Sequence, residues 1–166
     1  MKKTKFSPLT AMMLMALTLS SCSTVTTSNY EATALTTYTW RVKYIEQPSP
    51  EFESFATTSL LNRNGIKPEG AVTGPDDKGL WWPALPLRPS VSEVEQRQKP
   101  QQKVSQPELL KTVEYKVSYQ VDSQQKIFPT NYDVYREVVK AYPSRIPLEF
   151  TLGVNDDTVE KAEQAD

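Results

Sequence analysis

The sequence predicts an α+β domain, with a small antiparallel or mixed sheet, helices on one of its faces and a long proline-rich insertion. Three observations predict this class. Several stretches alternate apolar and polar residues with period two, the mark of a strand with one buried face. Two others carry apolar residues at helical spacing behind cap residues. Between them, 66–89 has neither a strand nor a helix period and holds Gly70, Gly74, Gly79 and a run of prolines.

The first predicted strand sets Tyr38, Trp40, Val42 and Tyr44 against Thr37, Thr39, Arg41 and Lys43. Ser49-Pro50-Glu51 then reads as an N-cap, a first-turn proline and a first-turn acid. Phe52, Phe55, Ala56 and Leu60 follow at helical spacing, and Asn64-Gly65 supplies a stop, which predicts a helix over 50–62. Ser90 with Glu93 forms a capping box, so a short helix runs to Gln98. Lys99 to Pro107 is polar and reads as a linker. A second strand is predicted from Val113, Tyr115, Val117, Tyr119 and Val121, a turn at 122–125, and a short return strand at 126–128. Thr130 or Asn131 caps a helix whose apolar face is Tyr132, Tyr135, Val138, Val139 and Tyr142, and Pro143 ends it. Ile146, Leu148, Phe150 and Leu152 predict the last strand. This order of elements resembles the split β-α-β arrangement called ferredoxin-like. The predicted domain covers 36–153, with an irregular insertion over 64–110 and an acidic tail over 154–166.

The first 22 residues point to an address. Lys2, Lys3 and Lys5 make a positive n-region, and the apolar run Leu9–Leu19 is far shorter than the ~20 residues of a spanning helix. Leu19-Ser20-Ser21-Cys22 follows. These four residues resemble the lipobox of bacterial lipoproteins. The resemblance implies a signal peptide over 1–21, a diacylglycerol on the Cys22 thiol and an acylated new amino terminus. Each buried methylene contributes about 0.8 kcal/mol, and two or three acyl chains anchor a protein stably where one does not. The Ser/Thr-rich stretch from Ser23 to Ala34 reads as a tether, so that 22–35 would hold the domain up to ~40 Å from the bilayer. Gly79–Leu87 and Asn131–Tyr142 also resemble uncharacterised lipoproteins of cyanobacteria. That implies an outer, plasma or thylakoid membrane, and no activity.

Composition narrows the chemistry. Without Lys2, Lys3 and Lys5 the mature chain has 16 basic residues against 20 acidic, a net charge of −4, and no basic cluster. Nucleic acid is therefore not expected as a partner. There is no histidine, and Cys22 is the one cysteine. Histidine-based nucleophile systems and Cys/His zinc sites are thereby excluded, and no cofactor or metal is expected. Carboxylates, Ser–Lys pairs and tyrosines remain. Asp76-Asp77 and Asp156-Asp157 lack the alternating ligands of a calcium loop, and Pro75-Asp76-Asp77-Lys78-Gly79 reads as turn chemistry.

The candidate binding residues are Trp81, Trp82, Pro83, Pro86 and Arg88. Prolines recur at 83, 86 and 89, the period of a polyproline II helix, so their rings line one edge. Two readings fit: a preformed partner-binding segment with tryptophan anchors, or a rigid strap whose tryptophans cover the sheet. The expected function is a non-catalytic, membrane-anchored envelope module that contacts another envelope protein. A glycan or small-ligand binding module is the alternative. The lipobox carries its own test: wild type should be cleaved before Cys22 and lipidated, whereas Cys22→Ala should be neither, as read by intact-mass spectrometry.

Overall fold

The computed structural model describes residues 23–46 and 48–165. The expected signal peptide over 1–21 and Cys22 lie outside the described residues. Eight strands form one mixed sheet: β1 Thr24–Thr27, β2 Tyr30–Ile45, β3 Glu51–Arg63, β4 Lys103–Val104, β5 Glu108–Val121, β6 Gln124–Thr130, β7 Leu148–Leu152 and β8 Val159–Gln164. Two helices accompany them, α1 Val91–Arg97 and α2 Tyr132–Ala141. The expected α+β ferredoxin-like arrangement is wrong, because strands dominate and its first helix does not exist.

Four regions depart from the sequence reading. The segment expected to be a helix over 50–62 is β3, paired antiparallel with β2 from Thr33↔Arg63 to Tyr44↔Glu51. A bulge on β3 opposite Trp40, where the register shifts between Thr39 and Arg41, puts Phe55 and Leu60 on one face although they are five residues apart. That shift imitates helical spacing. Asn64 and Gly65, at φ 50° and 73°, form a tight turn rather than a helix stop. A side chain at 65 would also strike Val139 Cγ1 at 2.6 Å.

The Ser/Thr stretch is not a tether. It is β1 and the start of β2, in which Tyr30, Ala32 and Ala34 are buried. Alanine is required there because α2 packs directly on β2. The 99–107 linker contains β4, which pairs with the end of β2 through Tyr44↔Val104. The acidic tail contains β8, with Val159 and Ala162 buried against β7. A register shift between Thr151 and Leu152 lengthens the spacing of those two residues and hides the strand period.

Other elements form where the residues dictate. β5 buries Val117 and Tyr119 by strict alternation. Asp122 and Ser123, at φ 50° and 66°, make the two-residue turn into β6. Asn131 caps α2 by accepting from Val134 N at 3.0 Å. Val134, Tyr135, Val138 and Ala141 of α2 are buried.

The strand order is β1-β7-β8-β6-β5-β2-β3. β1 and β2 are consecutive and separated by Ser28-Asn29 alone, so one bent strand stands at both ends of β7-β8-β6-β5. Asn29 O accepts from Gln120 N at 3.0 Å across that bend. The path therefore closes into a barrel of bent first strand, β5, β6, β8 and β7. Its one parallel contact joins β6 to β8 at Thr130↔Val159, and α2 connects β6 to β7. This is the connectivity of the OB-fold, a five-stranded Greek-key barrel, here with 51–104 inserted after the first strand.

The barrel interior holds Tyr30, Ala32, Leu80, Val117, Tyr119, Val138 and Phe150, and Tyr119 stacks between Phe128 and Phe150 at 5.5 and 5.3 Å. A second cluster, Val42, Tyr44 and Val94, joins α1 to the far end of β2. Val117→Asp should cost at least about 3 kcal/mol by burying an unpaired carboxylate. Ser118→Asp faces outward beside Glu31 on the paired strand and should stay within about 1 kcal/mol. Urea titration of the two variants compares them directly.

Candidate functional site

The extended segment 79–89 lies across the face of β2 and β3. Pro83, Pro86 and Pro89 are buried, whereas Ala84, Leu85, Leu87 and Arg88 are exposed. The three-residue period thus sorts one edge inward and the other outward, as a polyproline II segment does. Such a segment forms no hydrogen bonds of its own, and its prolines cannot donate. Its backbone groups must therefore be met by side chains of the sheet.

Asn62 does most of this. It is buried, its Oδ1 accepts from Trp81 N at 2.7 Å, and its Nδ2 donates to Trp81 O at 3.0 Å. The amide thereby replaces a neighbouring strand at Trp81. The buried Thr36 hydroxyl donates to the same carbonyl at 2.8 Å. Thr58 Oγ1 donates to Ala84 O at 2.6 Å, and Trp40 Nε1 donates to Pro86 O at 2.9 Å. Three strap carbonyls are thus fixed by residues of β2 and β3.

The two tryptophans have different environments. Trp82 is buried, 5.0 Å from the Tyr38 ring, with Lys111 Nζ 4.7 Å from its own ring. Its Nε1 donates to Asp76 Oδ2 at 2.8 Å. Trp81 is half-buried, with Lys67 Nζ 5.0 Å from its ring. Arg88 places its guanidinium 5.4 Å from the Trp40 ring. Asp76 accepts from Lys78 N at 3.0 Å and Leu80 N at 2.9 Å, so it organises the turn that leads into the strap.

The outward edge is apolar. Leu85 is 62% exposed, Leu87 87% and Val91, at the start of α1, 73%. Beside them runs a groove of about 590 Å³ with Pro89, Val91, Val94, Val104 and Pro107 as its apolar lining and Arg88, Glu95, Gln98, Ser105 and Gln106 as its polar lining. The sequence reading named Trp81, Trp82, Pro83, Pro86 and Arg88 as binding residues; all five lie in this strap, but Trp82, Pro83 and Pro86 are on its buried edge, Trp81 is half-buried and Arg88 is exposed. It missed Asn62, Thr36 and Trp40, which hold the strap. A reading of 50–62 as helix removed any reason to align Asn62 with Trp81. It also did not single out Val91, which is exposed beside Leu85 and Leu87.

Burial raises the phenols of Tyr30, Tyr44, Tyr119 and Tyr135, and burial with Tyr132 nearby pushes Tyr115 up to about 12. Glu93 is held below the ordinary carboxylate range by the N–H and hydroxyl of Ser90, and Glu51 by Lys99. A nucleophilic tyrosine needs a lowered pKa and a carboxyl general acid a raised one. Among the described residues no three His, Cys, Asp or Glu side chains form a metal-binding group. No protein-family model, curated protein or solved structure matches the chain.

Trp82→Ala should lower stability by about 3–5 kcal/mol, because it empties a packed site and leaves Asp76 without its indole donor. Trp81→Ala should cost about 1 kcal/mol, since Trp81 is clamped through its backbone. Chemical denaturation of both single variants reads the difference.

Proposed function

We propose that the chain is a lipid-anchored module of a bacterial cell envelope that binds another envelope protein and carries out no catalysis. The observation that carries this reading is the strap, which is ordered by its buried edge while its other edge offers Leu85 and Leu87 to solvent. Ordering before binding removes part of the entropy that association otherwise costs. Exposed leucines beside an apolar groove suit a protein partner with an apolar anchor of its own. The absence of histidine from the sequence, with Cys22 as its one cysteine, supports the non-catalytic part.

The anchor is Cys22, on the lipobox resemblance. The stand-off is corrected: Ser23 O already accepts from Leu152 N at 2.8 Å, one residue after Cys22. Neighbouring Cα atoms are about 3.8 Å apart, so a lipid on Cys22 would hold the barrel against the bilayer rather than on a leash. The described residues contain no helix long and apolar enough to cross a membrane.

A photo-crosslinking residue at Leu87 in the full-length protein, in its native membrane, tests the reading. A discrete protein adduct is expected from position 87 and none from Ser59 on the opposite sheet face. Leu85→Ser with Val91→Ser should remove that adduct while moving the melting temperature by no more than about 2 °C. No adduct at 87 from protein shown by mass to be lipidated would exclude the strap as an interface.

A further inference from the structure

At the other end of β2 lies a cleft of about 540 Å³ that the strap does not touch. It is lined by Asn29, Ser118, Gln120, Ser123 and Gln125 around the β5–β6 hairpin, with Arg145 on its far wall. We infer that this cleft binds a saccharide unit carrying a carboxylate or phosphate, with Arg145 as the anion-binding residue. The inference goes beyond the protein-binding reading and does not depend on it.

Arg145 is held in place on several sides. It follows the 3-10 turn Tyr142–Ser144 in the left-handed conformation, φ 51°, and its backbone N–H donates to Tyr142 O at 3.2 Å. Its guanidinium lies 4.1 Å from the centre of the Tyr142 ring, and its Nη1 donates to Tyr30 O at 3.2 Å. Among the described residues no carboxylate pairs with it, whereas neighbouring Arg63 is paired with Glu31. A guanidinium has five N–H donors in a planar fork, so one bond to Tyr30 leaves an edge free for a bidentate oxyanion.

The remaining lining selects among anions. Asn29 Nδ2 donates to Gln120 Oε1, and the groups this leaves on the two amides, with Gln125, Ser118 and Ser123, offer both donors and acceptors, the complement of adjacent sugar hydroxyls. A volume of about 540 Å³ exceeds that of a bare ion and falls in the range of small-molecule sites, roughly 300–1,000 Å³. Glu31 and Arg63 also line the cleft, paired with each other, so Arg145 is its unpaired charge among the described residues. A nucleobase would need a free aromatic face, and the Tyr142 face is occupied by Arg145.

The test is titration of the ¹⁵N-labelled full-length protein in detergent micelles, followed by NMR. The probes are a glucuronate-containing disaccharide, its neutral glucose counterpart and inorganic phosphate. The acidic disaccharide should shift the Arg145 Nε–H and the side-chain amides of Gln120 and Gln125, and bind at least fivefold more tightly than either other probe. Arg145→Ala should weaken it tenfold or more, and Arg145→Lys should restore only part, because an ammonium cannot make the paired contact. Gln125→Glu, which leaves the Arg145 turn intact, should also weaken it by charge repulsion. Leu87→Ser should change nothing. Absence of shifts at Arg145, equal binding of the neutral disaccharide, or equal binding of inorganic phosphate would each overturn the inference.

Discussion

Everything else in this fold depends on one bent strand that serves two edges. A sheet must satisfy the backbone groups of its outer strands or leave them open to other chains. Here the chain enters through β1, paired with β7 from Thr24↔Thr151 to Thr27↔Leu148, bends at Ser28-Asn29, and continues as β2 against β5. The bend is hydrogen-bonded, with Asn29 N accepted by Thr27 Oγ1 at 3.1 Å and Asn29 O accepting from Gln120. Closing the path this way turns a ladder of strands into a barrel with an interior. Tyr30, Val117, Tyr119 and Phe150 can then be buried.

The same strand decides where the rest of the molecule goes. Beyond Ala34, β2 leaves the part of the sheet that α2 covers, and its inward face needs another lid. The strap supplies it. Proline suits this lid because it is stiff in the required conformation, and its missing N–H groups leave no buried donor to satisfy. Its carbonyls still need partners, and Asn62, Thr36, Thr58 and Trp40 provide them. These four residues come from two adjacent strands, so strap and sheet order each other. Further along, Tyr44 donates to Val94 O at 2.9 Å and fixes α1 over the end of β2.

What was legible in the sequence follows from which residues keep a simple period. β5 keeps it over Val113–Val121, and the strap keeps its period of three, so strand and polyproline segment could both be read from residue order. The capping residues Ser90, Glu93 and Asn131 also act locally, through bonds to backbone three residues away. β3 and β8 carry register shifts, and a single added residue turns alternation into something like a helical or random pattern. At the start of β2 the buried positions are filled by Ala32 and Ala34, which hydropathy cannot distinguish from tether. Of the candidate site, the five strap residues could be found because they are contiguous. The clamp residues and the polar cleft are assembled from distant segments and carry no local signature.

Placement of the two surfaces also follows from β2. Sixteen residues at roughly 3.3 Å each give a strand of about 50 Å when straight. The cleft sits by Tyr30 at one end, and α1 and the apolar groove sit by Tyr44 at the other. Because β2 is paired on both sides along most of its length, neither end can move independently of the barrel. A partner on the strap and a ligand in the cleft would thus be held apart by a stiff element, without a hinge between them. Ser23 belongs to the same rigid unit, since its carbonyl, bonded by Leu152, precedes β1 directly. A lipid on Cys22 would therefore keep the barrel close to the bilayer, because the β1–β7 ladder that closes it begins at Thr24.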